Sequence, residues 1–372
     1  MHKLPFARLS GILLLASAAL LPQTPPAAPA PPATKTAAPS REGGKNLQVF
    51  KGLDHEGLDE AMDFISASLG VGCAQCHVKD EKAGWQFEKD DKADKVTARK
   101  MILMTRAINT ENFKGKSEVS CATCHNGHVE PASMPPLAVL GAPRPGAPST
   151  EKPKDLPAAE AILDHYVTAM GGKAALEAVT SRTFKGSLDM GGGRVMPLEI
   201  QQKAPDRYLQ SLTTPRGAMI QGFDGHSGWS SRGGKAAPME AKQLAEIRKD
   251  ADLRFPAHIK ERFDKLTVLN RETVDGREAF TVAAKRADGS REMLSFDAAT
   301  GLLVRRLAFD TTVLGRTSVE TTYQDYRSVE GLMVPFKLIT RSSHAAQVTT
   351  FSEIKQGVPV DDAVFQMPAS KP

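Results

Sequence analysis

The sequence lacks several features that would assign it to a class at once. It has four cysteines in 372 residues and none before Cys73, which excludes a lipid-modified cysteine near the N-terminus. Aromatic residues make up only 6% of the chain, and no Arg/Lys-rich stripe is interleaved with them. No G-x-S-x-G or H-E-x-x-H motif occurs. These absences argue against nucleic-acid binding and against the hydrolase classes that those motifs mark.

Long hydrophobic runs are also missing. The run Leu9–Leu21 is shorter than the stretch of about 20 apolar residues that a membrane span needs. It follows the basic residues Lys3 and Arg8 and contains small residues around Ala16. This arrangement predicts a signal peptide over residues 1–21 and a periplasmic protein, with an uncleaved inner-membrane anchor as the alternative.

Two segments rich in proline divide the rest of the chain. Residues 22–44 and 132–157 are expected to be extended linkers, because they cannot bury enough apolar surface to fold. They separate a small module, residues 45–131, which holds all the cysteines, from a larger module, residues 158–372. The formal net charge of +5 gives no strong indication of a partner.

The small module is predicted to be mainly helical. Apolar residues recur at helical spacing over Glu56–Leu69 and Asp94–Asn109. Asp54 can cap the first helix and Gly70 can end it. Each helix precedes a cysteine pair, which indicates an internal duplication.

The large module combines a few helices with many strands. Ala159–Met170 and Met239–Asp252 have helical patterns, and strand patterns dominate elsewhere. Asp275-Gly276 is typical of a two-residue hairpin turn. The module is therefore predicted to be an α+β domain built on a twisted antiparallel sheet.

The two cysteine pairs carry the chemistry. Cys73–His77 and Cys121–His125 both read C-x-x-C-H, the attachment motif of c-type haem. Two thiols at this spacing can add across the two vinyl groups of one haem, and the adjacent histidine then reaches the iron. The sequence thus predicts two covalently bound haem c groups, attached through Cys73, Cys76, Cys121 and Cys124, with His77 and His125 as axial ligands.

Other uses of the cysteines stay open. A C-x-x-C pair can be a redox dithiol, and four cysteines in an exported chain can form two disulfides. Four thiolates can also bind zinc, although the 44 residues between the pairs exceed the usual zinc-ribbon spacing. None of these uses requires a histidine directly after both pairs.

Methionines are the candidates for the sixth iron ligand. Met62 lies on the first helix, and Met101 and Met104 lie one turn apart on the second. Met/His ligation raises the reduction potential and suits electron transfer. Core packing is the alternative role for each methionine, and His128 is an alternative ligand in the second site.

The small module resembles the cytochrome c subunit of photosynthetic reaction centres. The resemblance rests on four segments: Asn46–Phe50, Leu69–Cys73, Lys95–Met104 with Ile108-Asn109, and Val119–Gly127. It implies that His77 and Met62 ligate the first iron, and that His125 and Met101 ligate the second, with Met104 in reserve. It also implies re-reduction of a photo-oxidised pigment at the periplasmic side of the membrane. The family usually carries four haems and often a lipid-attachment cysteine, and this chain departs from it in both respects.

The large module is similar to outer-membrane lipoprotein-sorting proteins. The resemblance rests on Ala159–Gly172, on Phe223-Asp224-Gly225 with Trp229, and on Tyr323–Phe336. It implies a curved, half-open antiparallel β-barrel closed by helices, with an apolar hollow that takes an apolar ligand.

The whole sequence therefore predicts a multidomain protein, with a small mainly α dihaem domain and an α+β domain. The expected function is one-electron transfer by a periplasmic c-type cytochrome that is not an enzyme. Its expected partners are redox proteins, such as a membrane reaction centre or a respiratory complex, and not nucleic acids. The alternatives are a respiratory carrier, a haem peroxidase or reductase, and a lipid- or lipoprotein-binding protein in which haem is a redox sensor.

Overall fold

The structure is a computed structural model that describes residues 44–131, 155–343 and 345–369. The predicted signal peptide and most of the two predicted linkers lie outside the described residues. Within the described ranges, no helix is long and apolar enough to cross a bilayer.

The small module is mainly helical, as predicted. Asp54 caps its first helix by accepting a hydrogen bond from Gly57 N at 2.8 Å, and Gly70 ends the helix in the left-handed region at φ 67°. A hairpin that the sequence patterns did not indicate follows the first cysteine pair. The elements are α1 (His55–Leu69), β1 (Val78–Asp80), β2 (Gly84–Gln86), α2 (Ala93–Asn112) and α3 (Cys121–His125).

The core of the small module is completed by the large one. Phe50, Phe64, Ile102 and Cys121 are buried together with Leu314, which belongs to a hairpin of the large module. Residues on both sides of the second predicted linker therefore share one apolar cluster.

Three α-helices and thirteen strands lie in the described residues of the large module. The helices are α4 (Ala159–Ala169), α5 (Lys173–Ala178) and α6 (Ala241–Ala251). The first strands are β3 (Ser181–Asp189), β4 (Val195–Lys203), β5 (Arg207–Thr214), β6 (Gly217–Phe223), β7 (Gly228–Arg232) and β8 (Lys235–Pro238). The later strands are β9 (Lys265–Val274), β10 (Arg277–Lys285), β11 (Arg291–Asp297), β12 (Leu303–Thr312), β13 (Gly315–Val329), β14 (Leu332–Arg341) and β15 (Ala346–Gln356).

All thirteen strands form one antiparallel sheet. Its order is β8-β7-β6-β5-β4-β3-β15-β14-β13-β12-β11-β10-β9, so the first and last strands of the module pair in its middle. Strands β8 and β9 are its two edges, and the described sheet is not closed into a barrel. The predicted antiparallel sheet with helices is confirmed.

Two hairpin turns of the sheet are built on a pair of residues with positive φ, one of them at the predicted turn. Asp275 and Gly276 have φ values of 47° and 77° between β9 and β10, and Glu330 and Gly331 have φ values of 49° and 85° between β13 and β14. Positive φ at both central residues gives a turn whose twist matches that of the flanking strands.

Helix α4 covers one part of the sheet. Its Leu163 is fully buried, and the Tyr166 ring lies 5.2 Å from that of Phe296 on β11. Further along the sheet, Phe184 on β3 and Phe351 on β15 have ring centroids 4.9 Å apart. A cavity of about 970 Å³ is lined by residues of both regions, among them Tyr166, Phe184 and Phe351.

Candidate haem-attachment sites

The first cysteine pair lies in a tight turn directly after α1. Residues Cys73–Gln75 form a single turn of 3₁₀-helix, and the backbone N–H of His77 donates to Cys73 O at 2.9 Å. The start of α2 holds this turn in place. Gln75 Nε2 donates to Asp94 Oδ2 at 2.5 Å, and Lys92 Nζ donates to the carbonyl of Ala74.

His77 is held between aromatic and basic side chains. Its ring lies edge-on to Phe87 at 5.0 Å, and Phe87 stacks on Trp85 at 5.8 Å. Burial lowers the pKa of His77, and the cations Lys95 and Arg99 lower it further, so the ring is neutral at pH 7. Its Nδ1 is buried and has no hydrogen-bond partner among the described residues. A neutral imidazole is the form that binds a metal.

The second cysteine pair forms the short helix α3. Thr123 Oγ1 accepts from Ser120 N at 3.0 Å at its start, and Asn126 ends it with φ 44°. The Nδ1 atom of His125 lies 2.9 Å from the carbonyl oxygen of His128. Because a carbonyl can only accept, Nδ1 carries the proton and the Nε2 lone pair of the neutral ring is left for a metal.

Asn109 anchors the backbone that leads into the second motif. Its Nδ2 donates to Val119 O at 2.7 Å, and its Oδ1 accepts from Glu118 N at 3.1 Å and from Val119 N at 2.9 Å. Beyond its place in a segment that resembles the cytochrome c subunits, the sequence assigns Asn109 no role. The local sequence shows no sign of this role, because the partners lie nine and ten residues further along the chain.

A cavity of about 100 Å³ lies against α2, between the two cysteine pairs. The residues that line it include Met101 and Met104 as well as three members of the second motif, Cys121, Cys124 and His125. The structure thus brings both candidate methionines of α2 next to the second motif. Cys76 of the first motif also lines the cavity.

Met62 has a different environment. It is half-buried against the apolar cluster that contains Phe64 and Cys121. Its pairing with His77 stays a prediction. His128 is exposed, and its backbone carbonyl is the atom that meets His125.

The surroundings of the four cysteines bear on the alternatives to haem attachment, which are disulfides, a zinc site and a redox dithiol. No disulfide joins any two of the four. Over the described part of the chain, no three His, Cys, Asp or Glu side chains come together as a metal site would require. Burial raises the pKa of Cys76 and of Cys121, whereas a reactive redox dithiol needs a lowered pKa.

The surface around the motifs is unusually apolar. Of the ten large hydrophobic side chains that are exposed in the described residues, six lie within residues 87–129. Phe87 lies against His77, and Met104 and Val129 line the cavity beside the second motif. The six are Phe87, Val96, Leu103, Met104, Phe113 and Val129.

Taken together, these residues fit covalently bound haem. The two cysteine pairs form no disulfide, His125 presents a free Nε2, and the orphaned Nδ1 of His77 is buried. Phe87 lies against His77, and Met101 and Met104 share a cavity with the second motif.

Among solved structures, the chain is similar to a DUF1329 family protein from Desulfovibrio piger, with a TM-score of 0.43 and 14% sequence identity. That likeness covers 56% of this chain and 97% of the other. It is also similar to a LolA superfamily protein from Nitrosomonas europaea, with a TM-score of 0.41, 15% identity and the same coverage of both chains.

Curated relatives match the cysteine-bearing part. The chain is 35% identical to cytochrome c-554 of Chloroflexus aurantiacus over 88 residues, which are 22% of this chain and 20% of that protein. It is 32% identical to the photosynthetic reaction center cytochrome c subunit of Thermochromatium tepidum over 127 residues, which are 33% of this chain and 29% of that protein. The matched part thus spans less than a third of the length of either relative.

The family model described as photosynthetic reaction centre cytochrome c subunit matches residues 15–138. This match contains both C-x-x-C-H motifs and α2, and it ends before the first element of the large module. The resemblance predicted from the motifs is confirmed: this part of the chain is similar to the reaction centre cytochrome c subunits.

Proposed function

We propose that the protein is a periplasmic c-type cytochrome that binds two haem c groups and transfers one electron at a time. The observation that carries this proposal is the second motif, where His125 is fixed with its Nε2 free and shares a cavity with Met101 and Met104. The match of residues 15–138 to a cytochrome c family supports it.

The proposed roles of the residues follow from their chemistry. Cys73 and Cys76 hold one haem by thioether bonds, and Cys121 and Cys124 hold the other. His77 and His125 are the first axial ligands. Met62 and Met101 are the proposed second ligands, with Met104 as the alternative to Met101. When bound, each haem supplies a centre that gains and loses one electron.

The surrounding residues hold and shield these ligands. Phe87 and Trp85 restrict the ring of His77 and limit the access of water to it. The carbonyl of His128 fixes the tautomer of His125, and such an outer-shell partner also raises the basicity of the ligand. Asn109 holds the chain that enters the second motif.

The proposed partner is a redox protein on the periplasmic side of the membrane. Reaction centre cytochrome subunits are the relatives of the matched part, which makes a membrane reaction centre one proposed electron acceptor. A respiratory complex is the other. To distinguish the two partners, the purified protein is reduced and mixed with purified reaction centres, and the pigment is followed after a flash. Fast re-reduction of the pigment supports the reaction centre as the electron acceptor.

Substitution of the methionines tests the ligand assignment. We expect Met101→Ala to lower the reduction potential of one haem and to let its iron bind carbon monoxide, with Met104→Ala as the parallel test of the reserve ligand. Met62→Ala should do the same for the other haem. Met219→Ala is the matched control, because Met219 is half-buried in the large module. An unchanged spectrum and potential in a variant rules that methionine out as a ligand.

The same spectra test the enzyme alternative. Two six-coordinate irons leave no position for a substrate, so the unaltered protein should be low-spin and should not bind carbon monoxide or cyanide readily. A high-spin signal in the unaltered protein would favour a peroxidase or reductase instead.

A further inference from the structure

The β12–β13 hairpin of the large module ends against the second cysteine pair. Its two-residue turn leaves Val313 exposed and buries Leu314, of which only 7% is exposed. Leu314 packs in one apolar cluster with Phe64 and Cys121. The proposed ligands and their supporting residues all belong to the small module, so the proposed electron transfer gives this contact no role.

Hydrogen bonds fix the shape of the hairpin tip. The backbone N–H of Leu314 donates to Thr312 Oγ1 at 3.2 Å, and Thr312 Oγ1 donates to Gly315 O at 3.0 Å. Gly315 approaches the small module so closely that a Cβ on it would lie 2.9 Å from the Phe64 ring and 3.1 Å from Ser120 Cβ. Because Ser120 directly precedes the second motif, the tip meets the chain where that motif begins.

Cys121 connects this tip to the cavity beside the second motif. The residue is 8% exposed, and it belongs both to the apolar cluster with Leu314 and to the lining of the cavity that contains Met101 and Met104. Cys73, which has the same place in the first motif, is exposed. The two motifs therefore differ in the cover of their first cysteine, and the large module supplies part of that cover in the second.

A second contact holds the hairpin to the small module. Lys242 on α6 pairs with Glu60 on α1 and, at 2.9 Å, with Asp310 on β12. All three side chains are partly exposed, so solvent screens these charges. The buried apolar contact of Leu314 therefore contributes more than the ion pairs to holding the tip in place.

Solvent exposure is one of the properties by which a protein sets the reduction potential of a bound haem. Water stabilises the oxidised iron, because its positive charge is greater than that of the reduced iron, and exclusion of water therefore raises the potential. We infer that Leu314 is a positioning residue for the second haem, which shields the attachment at Cys121 from water and thereby raises the potential of that haem. This inference rests on the proposed function and makes the large module part of the redox site.

The midpoint potentials of the full-length protein with its haems test this inference. Leu314→Ala lets water approach Cys121, so it should shift the distribution of an electron between the two haems at least threefold away from the second. For a one-electron couple this shift corresponds to about 30 mV. The potential of the first haem should stay unchanged. A Cys73→Ser/Cys76→Ser protein, which retains only the second attachment site, assigns the potential that moves.

Two control variants separate the loss of cover from other effects of substitution. Leu314→Met retains a long apolar side chain and should keep the potential of the parent. Val313→Ala should also keep it, because Val313 is 45% exposed at the same turn. An unchanged potential of the second haem in Leu314→Ala, a rise instead of a fall, or an equal shift at both haems would each overturn the inference.

A milder variant keeps the test decisive if Leu314→Ala does not fold. Leu314→Val removes a single methylene and should lower the potential of the second haem by a smaller amount, and no change in that variant would then overturn the inference. The failure of the proposed function gives a different result. A protein that binds no haem would overturn both, whereas bound haem with an unaltered potential overturns only the role of Leu314.

Discussion

At the scale of single residues, Asn109 shows how the second candidate haem site is held. Its amide makes three hydrogen bonds to the backbone just before Cys121. We predict that Asn109→Ala lowers the free energy of unfolding by about 1–3 kcal/mol, because backbone groups lose their partners. Thermal or denaturant unfolding measures this loss, and the haem content per chain should fall as well.

The control for this prediction lies one turn further along the same helix. Asn112 Nδ2 donates only to Ile108 O, at 3.1 Å within α2, and the residue is exposed. Asn112→Ala should therefore change stability by no more than about 0.5 kcal/mol. Equal effects of the two substitutions would refute the anchoring role of Asn109.

Asp250 gives a prediction about pH. Its position on the wall of the large module's cavity, crowded by protein, raises its pKa to about 6, with Arg306 opposing the rise. Because the folded-state pKa exceeds the unfolded one, the folded state holds the proton more tightly. The associated stability is present below about pH 4 and is lost as the pH rises to about 6.

Asp250→Asn should therefore raise the melting temperature at pH 7 to 8 and have little effect at pH 4. The gain should be on the order of 1 kcal/mol, because solvent reaches this side chain and screens its charge. Melting curves across this pH range measure it. A variant that is less stable than the parent at pH 8 would show that the carboxylate is stabilised by its neighbours.

The sequence predicts the residues that would attach each haem covalently. It predicts few of the residues that hold those attachment residues in place. The C-x-x-C-H spacing is local, so five consecutive residues suffice to predict the chemistry. The carbonyl of His128 and the amide of Asn109 act through the fold, and neither residue type indicates that role by itself. The ring stacking of Trp85 and Phe87 near His77 depends likewise on a hairpin, β1–β2, that no pattern indicated.

At the scale of elements, the β12–β13 hairpin joins the two modules. Leu314 at its tip is 7% exposed and packs with Phe64 and Cys121. The next residue must be glycine, because a Cβ on Gly315 would lie 2.9 Å from the Phe64 ring and 3.1 Å from Ser120 Cβ. The hairpin tip thus rests directly against the entry to the second motif.

We predict that Leu314→Ala lowers the free energy of unfolding by about 2–5 kcal/mol, as expected for a buried leucine. Val313→Ala is the control, since Val313 is 45% exposed at the same turn and should cost little. Differential scanning calorimetry of both variants measures the difference. A Leu314→Ala protein as stable as its parent would show that the hairpin does not contribute to the shared core.

The elements that could be predicted are those with a strong local signal. The predicted helix Glu56–Leu69 agrees with α1 to within one residue, and the predicted turn Asp275-Gly276 lies between β9 and β10. The sequences of β6 and β7 only weakly indicate strands, because glycine and serine replace the alternating apolar residues that are typical of a strand. Strand β12 is hard to predict from the sequence, because Arg305 and Arg306 place two charges within it. Glu272 and Glu292 on other strands neutralise these charges.

At the scale of the whole molecule, charge as well as apolar packing connects the modules. Lys242 on α6 pairs with Glu60 on α1 and, at 2.9 Å, with Asp310 on β12. The chain therefore combines a proposed electron-transfer module with a module that contains a large cavity.

Intact-mass spectrometry of the protein matured with the c-type attachment machinery tests whether two haems are covalently attached at the two cysteine pairs. We expect a mass increase of two haems, together with the reduced absorption band of a c-type cytochrome. Cys73→Ser/Cys76→Ser should lose one haem, and Cys121→Ser/Cys124→Ser should lose the other. A colourless protein, or pigment that acid-acetone extracts from it, would show that haem is not covalently bound.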